Sequence, residues 1–397
     1  MKTIPYIVLS VIFIISCASE NDMMKVTVVT DENELVMSPI AVNIELSGVE
    51  NNAPCCLVYG GNEIPGQIER VNDKEVRVWF VVDQPARETR TYELRIGEDC
   101  SVGSGFVWEQ LRPDAARLVF NSRPLMQYEH PVFDPENIEE TKKPYHHVFD
   151  PDGSRKITKG LGGLYAHHRG IFFGYNEIDV DGNEYDVWHA RDGEHTEHVE
   201  FVEIFRGPVM GGHIVRIKWR GRDGEPFIEE LREIRVFRKP EDQSLIDFRS
   251  NLYSLKGTIH LDGDLHHAGV QFRASQYVAD NSEHSRFHRP ANWAELAEDK
   301  EFGPPELMNL PWNAFRYQID DRQYTVTYMS HPDNPDAAEF SERLYGRFGE
   351  FFPYELTPDN PLQVRYRFWI AADAMPDRED IEKLYTAFAY PPDVVIE

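Results

Sequence analysis

Residues 211–239, GGHIVRIKWRGRDGEPFIEELREIRVFRK, decide the fold class. Val215, Ile217 and Trp219 alternate with Arg216, Lys218 and Arg220, the period of two of a strand with one apolar face and one wet face. Asp223-Gly224 then separates this run from a second one, and an Asp-Gly between two such runs signals a hairpin. The same alternation returns in QVRYRFWIAA (363–372), EVRVWFVV (75–82) and TYELRI (91–96). Only PDREDIEKLYTAFAY (376–390) has helical spacing, with Ile381, Leu384, Tyr385 and Phe388 on one side behind an acidic first turn. The chain reads as all-β. A small immunoglobulin-like β-sandwich is expected over residues 24–104, then a large antiparallel β unit over 105–397 that carries a short helix near its end.

Composition supports two compact units. The 397 residues are 41% hydrophobic and 12% aromatic, enough to bury full cores. A net charge of −27, from 68 acids against 41 bases, disfavours nucleic acid as a partner, because phosphate binding needs a concentrated basic surface. At the start, MKTIPYIVLSVIFIISCASEND has one basic residue, an apolar run from Ile4 to Ile15, and Ile14-Ile15-Ser16-Cys17, which resembles a bacterial lipobox. Residues 1–23 are therefore expected to be a lipoprotein signal peptide and tether. Cleavage would leave Cys17 lipidated, so the chain would be exported, held to the outer membrane by that lipid alone, and periplasmic or cell-surface. Of the remaining cysteines, the neighbours Cys55 and Cys56 rarely bond to each other, so one of them can pair with Cys100 and leave an odd thiol.

Candidate chemistry gathers in four segments. In LDGDLHHAGVQFRAS (261–275), strand alternation puts His266, Ala268, Val270 and Phe272 toward a core. His267, Gln271 and Arg273 then share the other face, a titratable ring, a two-sided hydrogen-bonder and a fixed cation in one row. In AHHRG (166–170), extended geometry would send His167 and His168 to opposite sides, so one of them enters a cleft, with Arg169 on the side of His167. DVWHARDG (186–193) supplies Trp188, for stacking or for core, and His189. KPYHHVFD (143–150) supplies Tyr145 as a hydrogen-bond donor or acid, with at least one of His146 and His147 as a surface loop residue. The 15 histidines leave a divalent metal open, although no His-Glu-x-x-His pattern exists and no cofactor is expected. Phosphate-binding glycine loops, a Gly-x-Ser-x-Gly elbow and a dinucleotide fingerprint are all missing from the sequence. Acid–base work by His and Glu, with Arg holding charge, fits this inventory best.

Seven motifs in order, KPYHHVFDPDG, AHHRGIFFG, DVWHARDG, GDLHHAGVQFRAS, LPWNAFRYQI, YTVTYMSHPDNP and FSERLYGRFGEFFPYEL, resemble the bacterial PmoA-like family over roughly residues 140–370. The methane-oxygenase label of that family does not suit this chain, which has no apolar span of about 20 residues beyond its first segment. The resemblance implies a β-supersandwich similar to galactose mutarotase-like proteins, with a concave sheet that binds sugar. It also implies glycan metabolism, with His167, His168, His267 and Glu350 as catalytic candidates. Tyr145, Arg169, Trp188, His189, Gln271 and Arg273 would bind substrate, joined by Trp312, Asn313 and Arg347. The expected function is an exported carbohydrate-active lyase, hydrolase or epimerase. The alternatives are a non-catalytic glycan-binding lipoprotein and a metal-dependent oxidative enzyme.

Overall fold

The computed structural model describes residues 24–97, 100, 103–240, 242–264, 266–296 and 306–397; Cys17 and the expected leader lie outside them. The hairpin read from the sequence forms as strands Met210–Arg220 and Pro226–Phe237, with Trp219 opposite Ile228 and Ile217 opposite Glu230. Val215, Ile217 and Trp219 are fully buried, while Arg216 and Lys218 lie on the outer face against Glu229. Around this hairpin grows an eight-stranded antiparallel sheet, from His195–Phe205 at one edge to Arg286–His288 at the other.

A second eight-stranded antiparallel sheet packs on the first. It runs, in spatial order, through Glu339–Arg343, Arg347–Phe351, Ala268–Arg273, Ile171–Tyr175, Tyr145–Val148, Arg123–Glu129, Ala115–Phe120 and Phe106–Arg112. The two inner faces interlock through aromatic rings. Phe173 meets Trp219 at 5.7 Å, Phe348 meets Phe315 at 5.4 Å and Phe272 meets Phe368 at 6.1 Å. Each such ring contributes about 1.5–3 kcal/mol by leaving water. One charge pair interrupts this apolar layer. Arg232 and Glu230, both essentially unexposed, meet at 2.7 and 3.0 Å, and Glu230 also accepts from Trp219 Nε1 and Ser250 Oγ, each at 2.9 Å.

The small unit is one seven-stranded sheet curled on itself. Phe80 and Tyr92, on strands well apart in the sheet order, have ring centroids 6.1 Å apart, and Gln84 Nε2 donates to the Val28 carbonyl. Its edge strand Lys25–Val29 pairs antiparallel with Asp393–Ile396, so the two ends of the described chain meet in one sheet. Cys56 is bonded to Cys100, and Cys55 is a buried thiol that burial pushes up to about 12. The helix Arg378–Ala389 begins at Asp377, whose side chain accepts from the Asp380 amide. It buries Ile381, Leu384 and Phe388 in the seam between the units, beside Trp79 and Trp312. A buried bidentate pair, Arg235 to Glu69, crosses the same seam.

Neighbouring strands of the second sheet bring distant motifs together. Gln271 lies opposite Phe172 on one side and Gly349 on the other, and Arg273 lies opposite Arg347. The residues that alternate with the core rings therefore form a polar outer floor, beside the loops that carry His167, His189 and His267. Gly269 starts this floor at φ +80, where a Cβ would stand 2.0 Å from the Glu350 carbonyl oxygen, so only glycine fits. Among the described residues no helix is long and apolar enough to cross a membrane.

Candidate functional site

Three of those loops converge over the floor. His167, His189 and His267 present ring nitrogens that all lie within 4.8 Å of one another. The ring centroids of His189 are 4.5 Å from both His167 and His267. Behind two of the rings stands a carboxylate. Asp186 Oδ2 accepts His189 Nδ1–H at 2.7 Å, and Asp264 Oδ1 accepts His267 Nδ1–H at 3.0 Å. Each aspartate also accepts backbone amides of its own turn, His189 N in one case and His266 N in the other. A carboxylate only accepts, so each Nδ1 carries hydrogen and each Nε2 points away from the carboxylate, the arrangement that orients a neutral imidazole toward a metal ion. His167 Nε2 is buried with no hydrogen-bond partner.

Electrostatics favour a neutral His167 ring and leave surplus donors beside the trio. Burial, reinforced by Lys143, holds His167 down at about 2, so it is an unprotonated ligand at neutral pH. Burial opposes ionisation of Asp264, but the His267 ring and the His266 amide outweigh it and hold the carboxyl at about 2. Beside the trio, His168 is fully buried with neither ring nitrogen partnered, and burial, with Arg347 nearby, keeps it well below its ordinary value. Burial and then Arg273 drop Lys159 to about 7; its ammonium meets only backbone carbonyls, including that of His168. Burial likewise lowers Lys143, which lies against the Trp188 carbonyl and over the Phe172 ring.

A family model described as "Family of unknown function (DUF6807)" matches residues 115–386. The chain belongs to this family. The DUF6807 region contains every candidate site residue from Tyr145 to Glu350 and all seven motifs resembling PmoA-like sequences, and it carries no PmoA label. No curated protein matches the chain. Among solved structures, a GalM/aldose epimerase homologue from C. elegans is similar at 10% identity over 69% of this chain and 100% of its own, with a TM-score of 0.29. An uncharacterised protein of Listeria monocytogenes EGD-e, solved with α- and β-D-glucose, magnesium and calcium, is similar at 8% identity over 90% of this chain. The match covers 31% of that protein at a TM-score of 0.15. Both overlaps are too loose to transfer an activity.

Within the DUF6807 region the structure sorts the expectations. His167, His168, His189 and His267 come together. Both neighbours of the His167–His168 pair enter the site, because the backbone there is not extended; it turns at Tyr165, φ +53, and His168 N bonds back to the Tyr165 carbonyl. His266 is not a core residue. It lies in the turn before Gly269, half-buried, where Arg343 donates to its Nδ1 at 2.8 Å. Gln271, Arg273 and Arg347 form the floor, with Arg347 donating to Gln271 Oε1 at 3.0 Å and to Ser341 Oγ at 2.8 Å. Tyr145 belongs to the floor as well, beneath Arg169, which is fully buried and paired with Glu139 at 2.8 Å. Trp188 is completely buried against Phe172, a wall rather than an open stacking surface. His146 and His147 are strand residues, not loop residues; His146 faces the sandwich interior, 2.9 Å from His213.

Glu350, Trp312 and Asn313 do not join the site. Trp312 fills the seam between the units, and Asn313 binds Glu342, the partner of Arg289. Glu350 pairs with Val270, a core-facing position, and receives Ser330 Oγ at 2.6 Å. Burial lifts its carboxyl from 4.5 to about 7 against the pull of Ser330, Tyr366 and Asn334. A carboxyl raised in this way contributes stability fully below its unfolded value and loses it as pH rises through the folded value. Denaturant unfolding should therefore show a fall of about 3 kcal/mol between roughly pH 4.5 and 7.5, and Glu350→Gln should flatten it. An unaltered slope in the variant would refute this assignment.

Sequence reasoning missed Asp186, Asp264 and His266. A signal for the first two was present, since Asp186-Val-Trp-His189 and Asp264-Leu-His-His267 share one Asp-x-x-His spacing.

Proposed function

We propose that this chain is a metal-dependent, carbohydrate-active enzyme that works outside the cytoplasm, tethered to the outer membrane through Cys17. The observation that carries the reading is the convergence of His167, His189 and His267 with Asp186 and Asp264 behind two of the rings. Three neutral imidazoles suit zinc, copper, iron or nickel, and they leave the charge of a dication uncancelled. Bound there, such an ion would supply a water of lowered pKa as nucleophile or base. The protein's own share is orientation. Asp186 and Asp264 fix two ligand rings, Arg343 with His266 presents donors at one side, and Tyr165 with Tyr345, ring centroids 5.1 Å apart, gives a partly exposed aromatic rim on which a sugar can stack.

Both carboxylates that touch the trio are committed to imidazole, so the reading favours water activated at the trio over a pair of free carboxylic acids flanking a glycosidic bond. Export is supported by the lipobox-like start and by the Cys56–Cys100 disulfide, a bond that persists in oxidising compartments. The test is mass spectrometry of oligosaccharide panels incubated with the zinc-loaded chain, with and without chelator. Products heavier by one water mean hydrolysis and an unsaturated end means elimination; either should vanish with chelator and return with zinc. Turnover that survives complete metal removal would overturn the reading, and an added oxygen would replace it with the oxidative one.

A further inference from the structure

The buried groups beside the trio that lack partners are mainly donors. Arg273 is fully buried, yet its Nε and Nη2 have no acceptor, while Nη1 reaches only the carbonyls of Ala274 and Tyr345. Among the described residues no carboxylate forms a hydrogen bond or ion pair with this guanidinium; the Tyr345 ring lies 5.0 Å away, and Arg347 and Asp280 act on it without such a contact. His168, also fully buried, leaves both ring nitrogens unpartnered and lies 5.9 Å from His267, centroid to centroid. Trp188 Nε1, a donor in the adjoining wall, is orphaned too. Leaving such groups without a partner is unfavourable, most of all for a charged one. In a chain of net charge −27, this cluster is a local surplus of N–H donors with an unpaired guanidinium, to which a dication would add charge.

We infer that the site takes a sugar bearing an oxyanion, a carboxylate or a sulfate or phosphate ester, and that Arg273 and His168 receive that group next to the histidine trio. The inference rests on the reading of this site as the substrate pocket and adds its charge class. A guanidinium edge with unpartnered N–H groups matches the paired oxygens of a planar or tetrahedral oxyanion, whose charge strengthens both bonds, and a neutral hydroxyl brings no such charge. Tyr345, half-buried in the turn before Arg347 and lying over Arg273, is the side chain that would move aside to admit it.

The experiment is calorimetric titration of the zinc-loaded full chain with D-glucuronate, glucose 6-sulfate, glucose 6-phosphate and D-glucose, with the metal content of each sample measured in parallel. At least one anionic sugar should bind roughly 10- to 100-fold tighter than glucose, and Arg273→Gln should erase that preference while zinc stoichiometry stays at the wild-type level. Comparison of the three anions identifies the carrier of the charge. Arg273→Lys, which keeps a cation without the fork, should retain part of the preference and guards against a folding artefact. Zinc retention with no preference for any anion overturns this inference and leaves the metal reading standing. An anion preference in a protein that holds no zinc does the reverse.

Discussion

His189→Ala should strip the protein of its metal. Wild-type chain incubated with zinc and desalted is expected to hold roughly one ion, and the variant less than a tenth of that. The reason is geometric. His167, His189 and His267 come from three separate loops, so each supplies one ligand that nothing else replaces, and only His189 and His267 are preset by an aspartate. Asp186→Asn and Asp264→Asn should lie between the extremes, with affinity about 10- to 100-fold weaker, because the ring remains while its tautomer and orientation are released. The three rings sit in loops over the floor rather than in the sandwich core, so each apo variant should keep the folded circular dichroism spectrum of apo wild type. Equal zinc in His189→Ala and wild type would sink the assignment, as would a wild type that retains none.

Arg232→Met should cost the fold about 3–5 kcal/mol in equilibrium unfolding. Arg232 and Glu230 lie between two sheets of aromatic rings, both essentially without solvent exposure, and the methionine would leave Glu230 as an unbalanced charge there. The double variant Glu230→Leu with Arg232→Met removes both charges and should regain much of the loss. Recovery should fall short by about 1–3 kcal/mol, since Trp219 Nε1 and Ser250 Oγ would lose their acceptor. A single variant within about 1 kcal/mol of wild type would mean that water reaches the pair, contrary to the packing described.

How far the sequence could be read follows from what is local in it. The hairpin around Asp223-Gly224 and the helix at 378–389 were legible because each repeats its own period within a dozen residues. The reading of Glu350 failed against face parity: Arg347 and Glu350 are three apart in one strand and point to opposite sides, so with Arg347 lining the floor Glu350 lies in the core. The reading of His266 failed because Gly269, at positive φ, breaks the alternation on which it relied. Nothing local says that Arg347–Phe351, Ala268–Arg273 and Ile171–Tyr175 are neighbours, and that pairing is what assembles the floor. The trio itself depends on three loop conformations fixed by side-chain-to-backbone bonds, of which the repeated Asp-x-x-His spacing is the one trace left in the sequence.

The pairing of Lys25–Val29 with Asp393–Ile396 also governs the order of assembly. Val26 waits for Ile396, so throughout synthesis of the large unit the first strand offers a bare row of amides and carbonyls to any passing strand. A chain cut just before Asp393 would keep that row open permanently. Such a truncated protein should self-associate, and a circular permutant joining the two strands by a short turn should fold without that hazard.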